Sequence, residues 1–139
     1  MTSTLPPSTR RRLTCLAIML LLVPLGFICR FVPIGLPYLI VKYGGSFLWA
    51  STVYWFIGYF LARQKPFLLA ILSLVVTAII EFLKRVQSST LENIRNTFFG
   101  IMILGRRFSY IDIAVYWIAI LCMLWLDHSA IHVRSASKE

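Results

Sequence analysis

Among the ionisable side chains within or beside the apolar segments of this sequence, four are placed to act together. Glu81 and Asp112 each lie about one helical turn inside the end of an apolar segment, and Arg30 and Arg95 lie next to such segments. Ionisable groups in membrane-spanning segments are rare, and they usually face the protein interior and pair with one another. The sequence therefore predicts that Glu81 or Asp112 pairs with Arg30 or Arg95, either to hold helices together or to form a binding pocket.

The chemistry that these residue types favour is binding of a phosphate-bearing polar group. A guanidinium binds phosphate through two parallel hydrogen bonds, and glycine-rich backbone such as Gly44–Gly45 can add further donors. Glu81 or Asp112 could instead act as a general base, but no nucleophile or set of metal ligands accompanies them. We therefore predict a binding site, with no catalytic residue, metal or cofactor, formed by Arg30, Ser46, Glu81, Arg95, Asp112 and Tyr116.

A metal site is the weaker interpretation of a second group of residues near the C-terminus. His128 and His132 would share one face of a helix, and Asp127 lies beside them. Because both histidines follow the last apolar segment, we interpret their region as a solvated tail.

The apolar segments that must position these residues indicate a membrane protein. The 139-residue chain is 59% apolar and 14% charged, whereas soluble domains are about 25% charged. Four uninterrupted apolar segments, at 13–29, 45–62, 66–83 and 109–126, each approach the length needed to cross a bilayer. Two shorter ones, at 31–41 and 91–105, read as interfacial or re-entrant pieces, of which only the second has helical spacing.

The predicted fold is an all-α polytopic integral membrane protein, with four transmembrane helices and one short interfacial or re-entrant helix. It comprises a basic N-terminal tail (1–12), a single four-helix membrane domain (13–127) and a polar C-terminal tail (128–139). In an antiparallel bundle, the order of segments alone brings the six predicted site residues to one end.

The distribution of charge bears on partners and orientation. Fourteen Lys and Arg residues against five acidic ones give a net charge of +9, but the basic residues flank apolar segments, so lipid headgroups explain them better than nucleic acid does. Basic residues divide evenly between the two sides. The first span decides the orientation, because Arg10, Arg11 and Arg12 precede it and only Arg30 follows. We predict that both termini are cytoplasmic.

Several short motifs resemble a known family. Residues 42–50, KYGGSFLWA, resemble a "YGGD-LWA" pattern, and 80–82 with 93–97 resemble "IEF…IR-T". A later series, Gly100, Leu104, Gly105, Phe108, Ser109, Asp112 and Tyr116, resembles "G…LG…FS–D…Y". Their order and spacing are similar to those of domain-of-unknown-function family 2809. Ser46 stands where that pattern has an acid, and Lys84 where it has a glutamine.

The resemblance implies a small bacterial inner-membrane protein, related in outline to the VanZ-like family, without supplying an activity. We expect a binding or accessory protein for a cell-envelope lipid or lipid-linked component. The alternatives are a membrane enzyme acting on a lipid-linked substrate, with Glu81 or Asp112 as general base, and a small transporter or channel subunit. Four short spans could not enclose a pathway alone, so a transporter would require a homo-oligomer.

Overall fold

The computed structural model describes residues 5–104 and 108–136, with side chains described for 5–101 and 108–130. These residues form helices and connecting loops, without a strand in the described ranges. The helices are α1 (Pro7–Phe31), α2 (Tyr38–Phe60), α3 (Pro66–Leu83), α4 (Ser89–Arg95), α5 (Phe98–Leu104) and α6 (Tyr110–Ala136). The all-α prediction is confirmed.

The long helices extend beyond the predicted segments. Helix α1 begins with Pro7 at its first position, where a proline costs no hydrogen bond, and continues through Pro24. Helix α6 continues ten residues past the predicted end of the last span at residue 126. The segments predicted as tails are therefore partly helical, while residues 1–4 and 137–139 lie outside the described part of the chain.

Of the described helices, three rather than the predicted four meet both the length and the apolarity needed to cross a bilayer. Among the described residues, α1, α3 and α6 are long and apolar enough to cross a bilayer, whereas α2 is long enough but not apolar enough. Helix α2 lies at the centre of the bundle, packed against the other three, and Ser51 and Tyr54 are fully buried. Neighbouring helices therefore cover the side of α2 that carries Ser51 and Tyr54, whereas Phe56 and Phe60 on the same helix are 50% and 61% exposed.

Helix α2 runs antiparallel to both α1 and α3. Gly26 of α1 lies opposite Leu48 of α2, and a Cβ on Gly58 of α2 would lie 3.5 Å from both Cys15 of α1 and Leu69 of α3. Helix α6 runs parallel to α2. The core consists of small, aliphatic and aromatic residues from all four long helices: Cys15, Ala50, Tyr54, Trp55, Leu69, Ala70, Tyr116, Ala119 and Ile120.

Two short helices, rather than the predicted single one, follow α3. They are separated at Thr97, whose hydroxyl donates to Ile94 O at 2.6 Å and accepts from Gly100 N at 3.1 Å, so that Thr97 caps the first turn of α5. Phe98 at the start of α5 stacks on Phe31 at the end of α1, with ring centroids 5.2 Å apart. Helices α4 and α5 therefore reach from the end of α3 to the end of α1. Residue 105, the last of the predicted segment, lies outside the described residues.

Candidate functional site

One end of the bundle, which we call the Glu81 end, carries the six predicted site residues. Here α1 and α3 end and α2 and α6 begin, so that Arg30, Ser46, Glu81 and Asp112 come from four different helices. Helix α4 adds Arg95 to the same end. The predicted clustering of polar residues at one end of the bundle therefore holds in the structure.

Glu81 is fully buried and is surrounded by hydrogen-bond donors. Its Oε2 lies 2.5 Å from Lys84 Nζ and accepts a hydrogen bond of 3.1 Å from the hydroxyl of Tyr116. Its Oε1 accepts a 2.9 Å hydrogen bond from the backbone N–H of Ser109, just before α6. The carboxylate thus lies at the N-terminus of α6, where the aligned peptide dipoles favour negative charge.

The predicted pairing of the acidic residues with arginines is wrong. The cation beside Glu81 is Lys84, one helical turn further along α3, and Arg95 instead binds backbone carbonyls. Arg95 Nη2 donates to Leu83 O at 2.6 Å, where the end of α3 leaves carbonyls without helical partners. Arg95 therefore attaches α4 to α3 through Nη2, while its buried Nε has no hydrogen-bond partner among the described residues.

Asp112 has a different environment from Glu81. It is 5% exposed, lies in the first turn of α6 and accepts a 3.2 Å hydrogen bond from Ser46 Oγ. Among the described residues no cation lies within salt-bridge distance of it. Arg30, exposed at the end of α1, is likewise without an ion pair to a described residue, although it lies within electrostatic reach of Tyr116.

The chemistry open to the two carboxylates follows from these contacts. Both oxygens of Glu81 already accept hydrogen bonds inside the protein, so this residue is arranged to join α3 to α6 rather than to take a proton from a substrate. Asp112 has one oxygen that accepts from Ser46, and its charge is balanced by no described cation. Asp112 is therefore the more available acidic group for a ligand.

The opposite end of the bundle holds a second buried cluster, which the sequence analysis missed. We call it the Asp127 end. Asp127 is 6% exposed, and its Oδ2 lies 2.7 Å from Arg11 Nη2 and accepts a 2.7 Å hydrogen bond from Tyr54. Arg11 also donates to Gln64 O at 2.9 Å, so this cluster joins α1, α2, α6 and the loop before α3. The residue directly before the expected polar tail therefore forms a largely buried ion pair.

The metal interpretation of this region gains no third ligand. Among the described residues, no group of three or more His, Cys, Asp or Glu side chains could hold a metal ion. Asp127 is occupied by Arg11 and Tyr54, and the side chain of His132 lies outside the described part of the chain.

Comparison with known families agrees with the motifs. The family described as a protein of unknown function, DUF2809, matches residues 35–120. The chain belongs to the DUF2809 family. This match includes α3, α4 and α5 in full, together with Ser46, Glu81, Arg95, Asp112 and Tyr116, so most of the Glu81 end is part of the DUF2809 region. Arg30 and the Asp127 cluster residues Arg11 and Asp127 lie outside it. No solved structure matches the chain.

Proposed function

We propose that this DUF2809 protein is a binding or accessory protein of a bacterial inner membrane, which holds the polar group of an envelope lipid or lipid-linked component at its Glu81 end. Its membrane location is supported by the large apolar side chains that α1, α3 and α6 expose, among them Leu20, Phe67 and Leu121. Soluble monomers rarely expose continuous apolar surface of this extent.

The observation that carries the binding proposal is a pair of complementary open charges. Asp112 is a nearly buried carboxylate without a described cationic partner, and Arg30 is a guanidinium without a described anionic partner, at the same end of the bundle. A zwitterionic headgroup would satisfy both, with its ammonium at Asp112 and its phosphate at Arg30. Arginine suits phosphate because of its planar pair of donors.

Ser46 and Lys42 support this arrangement from α2. The Ser46 hydroxyl is 3.1 Å from Lys42 O and 3.2 Å from Asp112 Oδ1, so it fixes one side of the carboxylate. The half-buried Lys42, one turn before Ser46 on α2, adds a further positive charge to the Glu81 end. The contacts of Glu81 with Lys84, Tyr116 and the backbone of Ser109 join α3 to α6. Their contribution to binding is therefore to position α6, which carries Asp112.

The test is lipid retention measured by native mass spectrometry of protein extracted in mild detergent, with phosphatidylethanolamine added. We expect Asp112→Asn and Arg30→Gln each to weaken retention several-fold, because each removes about one strong charge-assisted contact. The matched controls are Glu92→Gln and Arg12→Gln, which remove the same charges at exposed positions. Equal retention by all four variants would show that this end binds no headgroup.

A further inference from the structure

A groove of about 780 Å³ opens at the Asp127 end, on the side of the bundle where α3 begins. The loop residues Arg63 and Lys65 line its outer part, and Phe67 of α3 lies next to them. Leu121 and Trp125 of α6, spaced one helical turn apart, form the opposite wall. The groove is therefore positively charged at the end of the bundle and apolar along its length.

The two outer cations have no anionic partner in the described part of the protein. Arg63 and Lys65 are exposed, and neither forms an ion pair with a described residue. Arg11 also lines the groove, but its charge is balanced by Asp127. Since no Asp or Glu lines the groove, its outer part carries net positive charge. The start of α3, which no described side chain caps, adds weakly to the same positive potential.

The apolar side chains that line the groove offer a surface for a hydrocarbon chain. Phe67 is 67% exposed and Trp125 is 69% exposed, and both are on helices that are apolar enough to cross a bilayer. An aromatic residue with one polar edge, such as Trp125, is typical of the membrane interface. Basic residues at the end of such helices lie at headgroup depth, next to lipid phosphate.

We propose that this groove is a binding site for an anionic phospholipid, with its phosphate between Arg63 and Lys65 and one acyl chain along Phe67, Leu121 and Trp125. Charge complementarity commits the site to an anionic lipid, because the groove offers cations without a carboxylate for an ammonium group. The site goes beyond the proposed function and shares with it only the membrane location, since the two sites lie at opposite ends of the bundle.

The charge requirement is tested by native mass spectrometry with phosphatidylglycerol. The double variant Arg63→Gln/Lys65→Gln should retain this lipid about thirtyfold more weakly than the unmodified protein, the effect expected from losing two interfacial cations. The control Arg10→Gln/Arg12→Gln removes the same charge from exposed positions at the same end, outside the groove, and should change retention little. Equal weakening in the two double variants would mean diffuse attraction only and would overturn the site.

The chain requirement is tested by fluorescence in nanodiscs that contain phosphatidylglycerol with brominated acyl chains, which quench nearby tryptophan. The difference between the unmodified protein and Trp125→Phe reports Trp125 alone. We expect this component to be quenched more by brominated phosphatidylglycerol than by brominated phosphatidylcholine at the same mole fraction. Equal quenching by both lipids, or competition by inorganic phosphate alone, would contradict a bound lipid. Arg30→Gln should leave the quenching unchanged, so failure here is distinct from failure at the Glu81 end.

Discussion

Arg11 and Asp127 form a largely buried ion pair across the bundle, although 116 positions separate them in the sequence. The distance from Arg11 Nη2 to Asp127 Oδ2 is 2.7 Å, and the hydroxyl of Tyr54 donates to the same oxygen. This contact fixes the beginning of α1 against the second half of α6. The Asp127 cluster thus combines a carboxylate, a cation and a tyrosine. Glu81, Lys84 and Tyr116 form the same combination at the other end of the bundle.

The first prediction concerns this ion pair. Asp127→Ala should lower the free energy of unfolding by about 3–5 kcal/mol, because it leaves the mostly buried guanidinium of Arg11 without its partner. Thermal unfolding in detergent, followed by circular dichroism, measures the effect. Glu92→Ala, at an exposed position, is the control and should have little effect. Arg11→Ala should cost little more in the Asp127→Ala background, and full additivity would argue against a coupled pair.

The second prediction separates the roles of charge and hydrogen bonding at Glu81. Glu81→Gln keeps a side chain of the same shape beside Tyr116 but strands the ammonium of Lys84, whereas Glu81→Ala removes every contact. Both variants should lower the unfolding temperature in detergent, and Glu81→Ala should do so more. If Glu81→Ala were as stable as Glu92→Ala, the cluster would not contribute to helix packing.

The third prediction concerns the corner between α4 and α5. A Cβ on Gly100 would overlap the backbone oxygen and carbon of Ile94, so Gly100→Ala must open the corner that Thr97 caps. Amide hydrogen exchange of residues 89–101 should become several-fold faster, because local opening exposes their backbone hydrogen bonds. Gly44→Ala is the matched control, since a Cβ on Gly44 meets no atom within 4 Å. Unchanged exchange in Gly100→Ala would show that the corner can adjust without opening.

The fourth prediction concerns orientation. The beginning of α1 and the loop before α3 lie at the same end of the bundle, and α4 lies at the other. In a variant without Cys15, Cys29 and Cys122, a cysteine at position 89 should react with an impermeant thiol reagent in intact cells. Cysteines at positions 3 and 64 should react only after the cells are opened, because the basic first span places this end in the cytoplasm. The reverse labelling pattern would invert the topology.

The sequence predicted the helices and the polar end better than it predicted the pairs of charges. The uninterrupted apolar segment 66–83 located α3 with both ends correct, because Pro66 begins it and charged residues follow Leu83. Lys84 was noted only as a departure from the family pattern, although its spacing of three from Glu81 on a continuing helical turn is a signal for a pair. The pair of Arg11 and Asp127 had no local signal, since the burial of Asp127 depends on helices that meet only in the folded bundle.

The buried polar groups of α2 have a consequence for the assembly of the protein. Before α3 and α6 have been synthesised, only α1 can cover the side of α2 that carries Ser51 and Tyr54. Without α1, the polar groups of these two residues would be exposed to the hydrocarbon core of the bilayer. Helix α1 lies opposite α2 along its length and reaches close to it at Gly26 and Gly58. We therefore expect α2 to leave the insertion machinery as one half of a hairpin with α1, and to depend on later helices for its final environment.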